Sequence, residues 1–108
     1  MSNSSRAPLP SAVALVLDKL GSDIKSARLR RRIRATTVAD RARISRTTLH
    51  KIERGDAGVS IVKYTSVLHV LGFHAGVGDL ADRSLDYVGL DMLEESLPKR
   101  VRVPRNTE

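Results

Sequence analysis

The chain has 108 residues and a formal net charge of +7, with three aromatic residues, no tryptophan and no cysteine. That length supports one small domain with one modest core, which this composition makes aliphatic and so favours packed helices. The lack of cysteine excludes a disulfide framework and a thiolate metal site and fits a reducing cytoplasm, and no stretch approaches the roughly 18 apolar residues of a membrane helix.

Residues Met1 to Pro10 are Ser, Asn, Pro and Ala for the most part and are expected to form a disordered N-terminal arm, residues 1–10. The apolar run Ala12 to Leu17 is too short, and too poorly flanked, for a signal peptide. Ser11 is a candidate N-cap for a first helix, in which Val13, Val16, Leu17, Leu20, Ile24, Ala27 and Leu29 recur at near-helical spacing. Gly21 is expected to kink or split that helix. Its first half is apolar on more than one face, so it either covers the core or makes a dimer contact, and an outward Leu15 would favour the contact.

A second helix is expected from Thr36 or Thr37 to Ala42, with Val38, Ala39 and Ala42 on one face and Ile44 in the turn that follows. A third is expected from about Ser45 to Arg54, with Ser45 as N-cap, Leu49 and Ile52 inward and Gly55 as the stop. Ser60 is a candidate N-cap for a fourth helix, Ile61 to Leu71, with Ile61, Tyr64, Val67, Leu68 and Leu71 inward. Phe73 to Gly78 reads as a glycine-rich loop and Asp79 to Ala81 as a short turn. A last helix is expected from Ser84 to Leu97, ended by Pro98. In the tail, Val101-Arg102-Val103 alternates like a short strand, and a partnered strand and an unstructured basic tail remain equal alternatives.

Charge is unevenly placed. Between Lys25 and Arg54 there are eleven basic residues and only Asp40 and Glu53 against them, whereas Asp79 to Glu95 carries six acids and one base, Arg83. A basic block that coincides with a two-helix pattern points to a polyanion partner. The outer face of the third helix carries Arg46, Thr47, His50, Lys51 and Arg54, donors and hydroxyls suited to base edges and phosphates in a major groove.

The strings LGSDIKSARLRRRI, VADRARISRTTLHKIERGD and VSIVKYTSVLHVLGF resemble the Cro/repressor (XRE) family of helix-turn-helix regulators over about Leu20 to Phe73. The ending LADRSLDYVGLDMLEESLPKRVR is similar to HipB-like antitoxins, which pair with HipA-like kinase toxins. The resemblance implies an all-α, five-helix, lambda-repressor-like domain at residues 11–73. A helical extension at 74–97 and a basic tail at 98–108, which holds the candidate short β-strand, would follow. It implies a homodimer on an inverted-repeat operator in double-stranded DNA, with Arg46, Thr47, His50 and Lys51 reading bases. Ser45 and Thr48 fall where the family holds phosphate, and Arg28 and Glu53 match a pair that often forms a buried ion pair. The sequence departs from the family in two places, the start of the second helix and the turn. Arg34 and Ala35 replace the usual Thr-Gln, which moves capping to Thr36 or Thr37, and Arg43 replaces the turn glycine, so that the turn is either strained by roughly 1 kcal/mol or differently shaped.

The leading expectation is a sequence-specific, cytoplasmic repressor. Arg30, Arg31, Arg32, Arg34, Arg54 and Lys63 would join Ser45 and Thr48 on phosphates. A toxin partner, or a second copy, would dock on the acidic segment; the equal alternative is that this segment packs on its own domain with its acids solvated. The alternatives are a stand-alone regulator and a basic protein that binds nucleic acid without sequence preference. An enzyme is the least expected class. His50, His69 and His74 lack metal-site spacing, there is no nucleophile elbow or phosphate-cradling loop, and no cofactor is implied.

Overall fold

A computed structural model describes residues 8–97. The described residues are helical throughout, with no strand among them. They fall into two compact units, one up to Val77 and one from Gly78. The arm before residue 8 and the tail with its Val101–Val103 pattern lie outside the described residues.

In the first unit, α1 (Ser11–Arg30) runs 20 residues without a break. The expected kink at Gly21 is absent, because this glycine serves a close contact rather than a bend. A Cβ there would lie 2.5 Å from the Gly55 nitrogen and 2.6 Å from the Ile52 carbonyl oxygen. Pro10, not Ser11, sits at the N-cap position and makes no side-chain cap. Its carbonyl accepts the first helical bonds from Val13 and Ala14 at 3.0 and 3.1 Å.

Helix α2 (Ala35–Ala42) begins earlier than expected, with Arg34 in extended conformation at its N-cap and no side-chain cap bond. Neither Thr36 nor Thr37 takes over capping, since both already lie inside the helix. Helix α3 (Arg46–Glu53) is capped by Ser45, whose hydroxyl accepts from the Thr48 amide. Helix α4 (Ile61–Leu71) is capped in the same way by Ser60, from the Lys63 amide. Residues 74–78, expected as loop, form one turn of helix, α5 (His74–Gly78).

The first four helices end alike. After α1 the Ile33 amide reaches the Arg28 carbonyl at 3.2 Å, after α2 Ile44 reaches Ala39 at 3.0 Å, after α3 Asp56 reaches Lys51 at 3.0 Å, and after α4 Phe73 reaches Leu68 at 2.7 Å. This is the Schellman closure, which requires one left-handed residue. Glycine fills it twice, at Gly55 and Gly72, and arginine twice, at Arg32 with φ 53° and Arg43 with φ 59°. The Arg43 conformation follows from the family's turn, and the Arg32 one had no signal in the sequence.

The core is aliphatic apart from Tyr64. Ile24, Val38, Leu49, Ile52 and Val67 are fully buried, with Ala27, Ala39, Ala42, Tyr64 and Leu71 around them. Helix α2 packs on α4, and α3 packs on α1 and α2. Ile61, expected inward, is 69 % exposed. It opens the first turn of α4, ahead of the buried Tyr64–Val67–Leu71 stripe. In the N-terminal half of α1, Leu15 and Val16 also face solvent.

The second unit differs in kind. The expected helix from Ser84 is divided into a 3-10 turn (Arg83–Leu85) and α6 (Tyr87–Ser96). Two Asp caps make the division: the Asp82 carboxylate accepts from the Ser84 amide at 2.8 Å, and Asp86 accepts from the Gly89 amide at 2.9 Å. None of its described residues is buried, and Leu80, Leu85, Tyr87, Val88, Met92, Leu93 and Leu97 are all exposed.

Candidate nucleic-acid interface

The candidate reading element is α3. Leu49 and Ile52, three residues apart, bury one face almost completely, at 1 % and 0 % exposure. The opposite face, with Arg46, Thr47, His50, Lys51 and Arg54, is exposed. Three further contacts fix the helix. The Arg28 Nε donates to Glu53 Oε2 at 2.7 Å, and its Nη2 to Oε1 at 3.2 Å. The same guanidinium donates through Nη1 to the Ile33 carbonyl at 3.2 Å. Third, Gly21 and Gly55 bring the two backbones together; a Cβ on Gly55 would overlap the Leu17 carbonyl. The Arg28–Glu53 pair is largely desolvated, with side-chain exposures of 12 % and 6 %. A bidentate pair of this kind fixes orientation as well as distance.

Beside α3 lies an open groove of about 510 Å³. Helix α3 contributes Arg46, Thr47 and His50 to it, its C-cap residue Arg54 joins them, and α1 contributes Lys25. Leu49 and the Arg28–Glu53 pair line it too, with Ala35 from the start of α2. Three of the four residues expected to read bases therefore meet at one concavity. Lys51 does not line it. Lys25 does; the sequence marked it only as a member of the basic block, because the α1–α3 packing is what brings it there.

The expected phosphate-binding residues are more dispersed. The Ser45 hydroxyl donates to Thr48 Oγ1 at 2.9 Å and accepts from the Thr48 amide at 3.0 Å, so the two are occupied with capping α3. Arg30 Nη1 donates to Ser26 Oγ at 2.8 Å. Arg31 Nη1 donates to the Ala27 carbonyl at 3.0 Å, and its guanidinium lies 5.1 Å from the centre of the Phe73 ring. Arg32, Arg34 and Lys63 are exposed, and they do not line the groove.

Among the described residues, two titrating groups are displaced from their ordinary values. Burial, and then the Asp56 charge, pushes the Tyr64 hydroxyl up. That hydroxyl donates to the Asp56 carbonyl at 2.7 Å and so ties α4 to the loop after α3. The Asp82 carboxyl is held below its usual range by hydrogen bonds from the Ser84 hydroxyl and amide. Among the described residues no group of three or more His, Asp and Glu is placed to hold a metal ion, and no helix is long and apolar enough to cross a membrane.

A short brace helix packed on α3 and α4, a left-handed turn and a second helix with a cationic outer face packed on the longer α1 define a DNA-binding regulator of the helix-turn-helix class. The family model for the helix-turn-helix domain matches residues 19–83, and the chain belongs to that family. Searches of curated proteins and of solved structures gave no match.

Proposed function

We propose that the protein is a sequence-specific transcriptional regulator of the XRE-like kind, a repressor that binds an inverted repeat in double-stranded DNA as a homodimer. The observation that carries this reading is α3 itself. Its inner face is fixed by Leu49, Ile52 and the Arg28–Glu53 pair, while Arg46, Thr47, His50 and Lys51 stand exposed on its outer side. Arg46 is the candidate for a bidentate contact to guanine, worth on the order of 1–3 kcal/mol of discrimination. Thr47 is suited to a thymine methyl, and Lys51 to a guanine edge. Arg30, Arg31, Arg32, Arg34, Arg54 and Lys63 supply affinity without sequence information. One such domain covers few base pairs, so two copies on half-sites about one helical turn apart are needed. On this reading residues 11–73 bind the DNA and 74–97 extend that domain, and the chain works in the cytoplasm as a binding protein rather than an enzyme.

The test is selection of bound duplexes from a random pool. An enriched inverted repeat supports the reading, and a pool without enrichment refutes sequence specificity. Arg46→Ala should then relax preference at one base position per half-site. If Arg46→Ala and Lys51→Ala leave every position unchanged, α3 is not the reading helix.

The antitoxin role, with a HipA-like kinase toxin as partner, rests on the likeness of the segment from Leu80 onward to HipB-like regulators and on its acidic, apolar-exposing surface. A kinase-like gene beside this one, whose product co-purifies with the protein, supports it. A neighbourhood without such a gene favours the stand-alone regulator.

A further inference from the structure

The second unit leaves its apolar side chains uncovered. None of its described residues is buried, and on α6 Val88 and Met92 are 71 % and 64 % exposed. These two stand four residues apart and form one row along the helix. Asp91 and Glu95, also four apart and also exposed, form an acidic row beside it. Asp82 and Asp86 are engaged as caps, but among the described residues no cation pairs with Asp91 or Glu95.

An apolar row beside an acidic one fits a segment that alternates apolar and cationic residues. The chain supplies one directly after α6, in residues 98–108, which lie outside the described residues. Arg100-Val101-Arg102-Val103 alternates strictly, so an extended chain sends its two arginines to one side and its two valines to the other. The spacing agrees with α6. Counted back along the helix axis from Glu95, Met92, Asp91 and Val88 stand about 4.5, 6 and 10.5 Å away. Counted from Arg100 in an extended chain, Val101, Arg102 and Val103 stand about 3.3, 6.6 and 9.9 Å away. The reversal needs only residues 98 and 99. Leu97 has already left the helix, at ψ 139°, as the residue before a proline favours.

Charge points the same way. Asp79 to Glu95 carries six acids against Arg83, while residues 98–108 carry Lys99, Arg100, Arg102 and Arg105 against Glu108. A second copy of α6 laid on this face would set one acidic row against another. The chain's own following residues bring the opposite charge, and a loop this short costs little entropy to close.

We propose that this face of α6 is the docking site of the chain's own residues 98–108. They run antiparallel to the helix, with Arg100 and Arg102 on Glu95 and Asp91, and Val101 and Val103 on Met92 and Val88. The contact covers the second unit from within the chain and engages cations that would otherwise add affinity for any polyanion. It does not depend on the DNA-binding reading, and a partner protein for the acidic segment would have to displace it.

The test compares the full chain with one ended after Leu97, in the absence of DNA, by amide hydrogen exchange. Deletion should speed exchange at Leu90, Met92 and Leu93 by roughly 5-fold or more, while the core amides of α1 to α4 keep their rates. Arg100→Glu/Arg102→Glu should act like the deletion. Adding Asp91→Arg/Glu95→Arg should restore the protection, which the same α6 changes should not confer on the shortened chain. Because the chain has no cysteine, Asn106→Cys carries a single spin label, which should broaden α6 signals of its own chain. In a mixture of spin-labelled chains with isotope-labelled, unmodified ones, the α6 signals should stay sharp. Unchanged α6 exchange after deletion overturns the proposal, and if the deletion then only lowers the salt dependence of binding to duplexes, the segment belongs to DNA. Broadening in the mixture overturns it too, because the segment would then lie on a second copy. If the reversed charges fail to restore protection, the pairing of Arg100 and Arg102 with α6 is wrong.

Discussion

Replacing Arg43 by glycine should stabilise the protein. Arg43 lies in the left-handed region at φ 59° and ψ 44°, where a side chain crowds the backbone at roughly 1–2 kcal/mol per residue. Glycine escapes that cost but loses more chain entropy on folding, about 0.5–1 kcal/mol. The balance is a gain of about 0.5–1 kcal/mol, which for a domain of this size raises the unfolding temperature by roughly 2–8 °C. The closing bonds of the turn, from the Arg43 amide to Asp40 and from the Ile44 amide to Ala39 at 3.1 and 3.0 Å, are backbone bonds and survive the change. Removing a charge from a strongly basic segment also lowers self-repulsion, so the comparison that isolates the backbone effect is Arg43→Gly against Arg43→Ala. Both lose the guanidinium, and only the glycine loses the Cβ. The assay is thermal or urea unfolding of both variants beside wild type. If the glycine variant is no more stable than the alanine variant, the turn is not strained and the argument from φ is wrong.

Glu53→Gln should cost about 3–5 kcal/mol, because it leaves Arg28 desolvated without its counter-charge; in urea unfolding the double variant Arg28→Met/Glu53→Leu should recover most of the loss. Gly21→Ala should destabilise by roughly 1–3 kcal/mol through overpacking, against a helix-propensity gain of about 1 kcal/mol. Overpacking wins because the atoms its Cβ would meet are backbone of Ile52, Glu53 and Gly55, and a higher urea midpoint than wild type would refute this. Tyr64→Phe should cost about 0.5–1.5 kcal/mol at neutral pH for the lost hydrogen bond. In wild type the Tyr64 hydroxyl titrates above its ordinary 10.0 when folded. Its contribution is therefore complete below pH 10.0 and declines as pH rises through the folded value, so the gap between wild type and Tyr64→Phe should narrow above that pH. A peptide of residues 79–97 should show little helix by circular dichroism, because an isolated helix shorter than about 12 residues is marginal in water and none of its residues is buried; strong helicity would show that the Asp82 and Asp86 caps suffice.

The helices of the first unit were legible because periodicity, caps and stops agreed there. Ser45, Gly55, Ser60 and Gly72 each delimit a helix where their chemistry says they should. Where one signal stood alone it misled. Gly21 looks like a helix breaker in one dimension, yet it is where α1 and the end of α3 approach most closely, a contact between residues more than thirty positions apart. Thr36 and Thr37 look like caps, but the Schellman closure after α1 returns the chain at Ile33 and leaves Arg34 extended as the residue before α2. In the second unit Asp82 and Asp86 start two elements where the apolar pattern suggested one. The outward residues of α3 could be read from its period. The groove could not, since Lys25 comes from a different helix.

The four helix endings separate what the backbone demands from what the surface prefers. At Gly55 no alternative exists, because any Cβ would strike the Leu17 carbonyl. At Gly72 the surrounding space is open, yet glycine is kept for its φ of 94°. Arg32 and Arg43 occupy equivalent positions with side chains that the conformation disfavours. Both lie within the Lys25–Arg54 basic block, and Gly72 lies outside it. Strain of this order persists where the surrounding structure imposes it, and it gathers at functional sites. Charge is thus placed at left-handed positions inside the basic segment at some cost in stability.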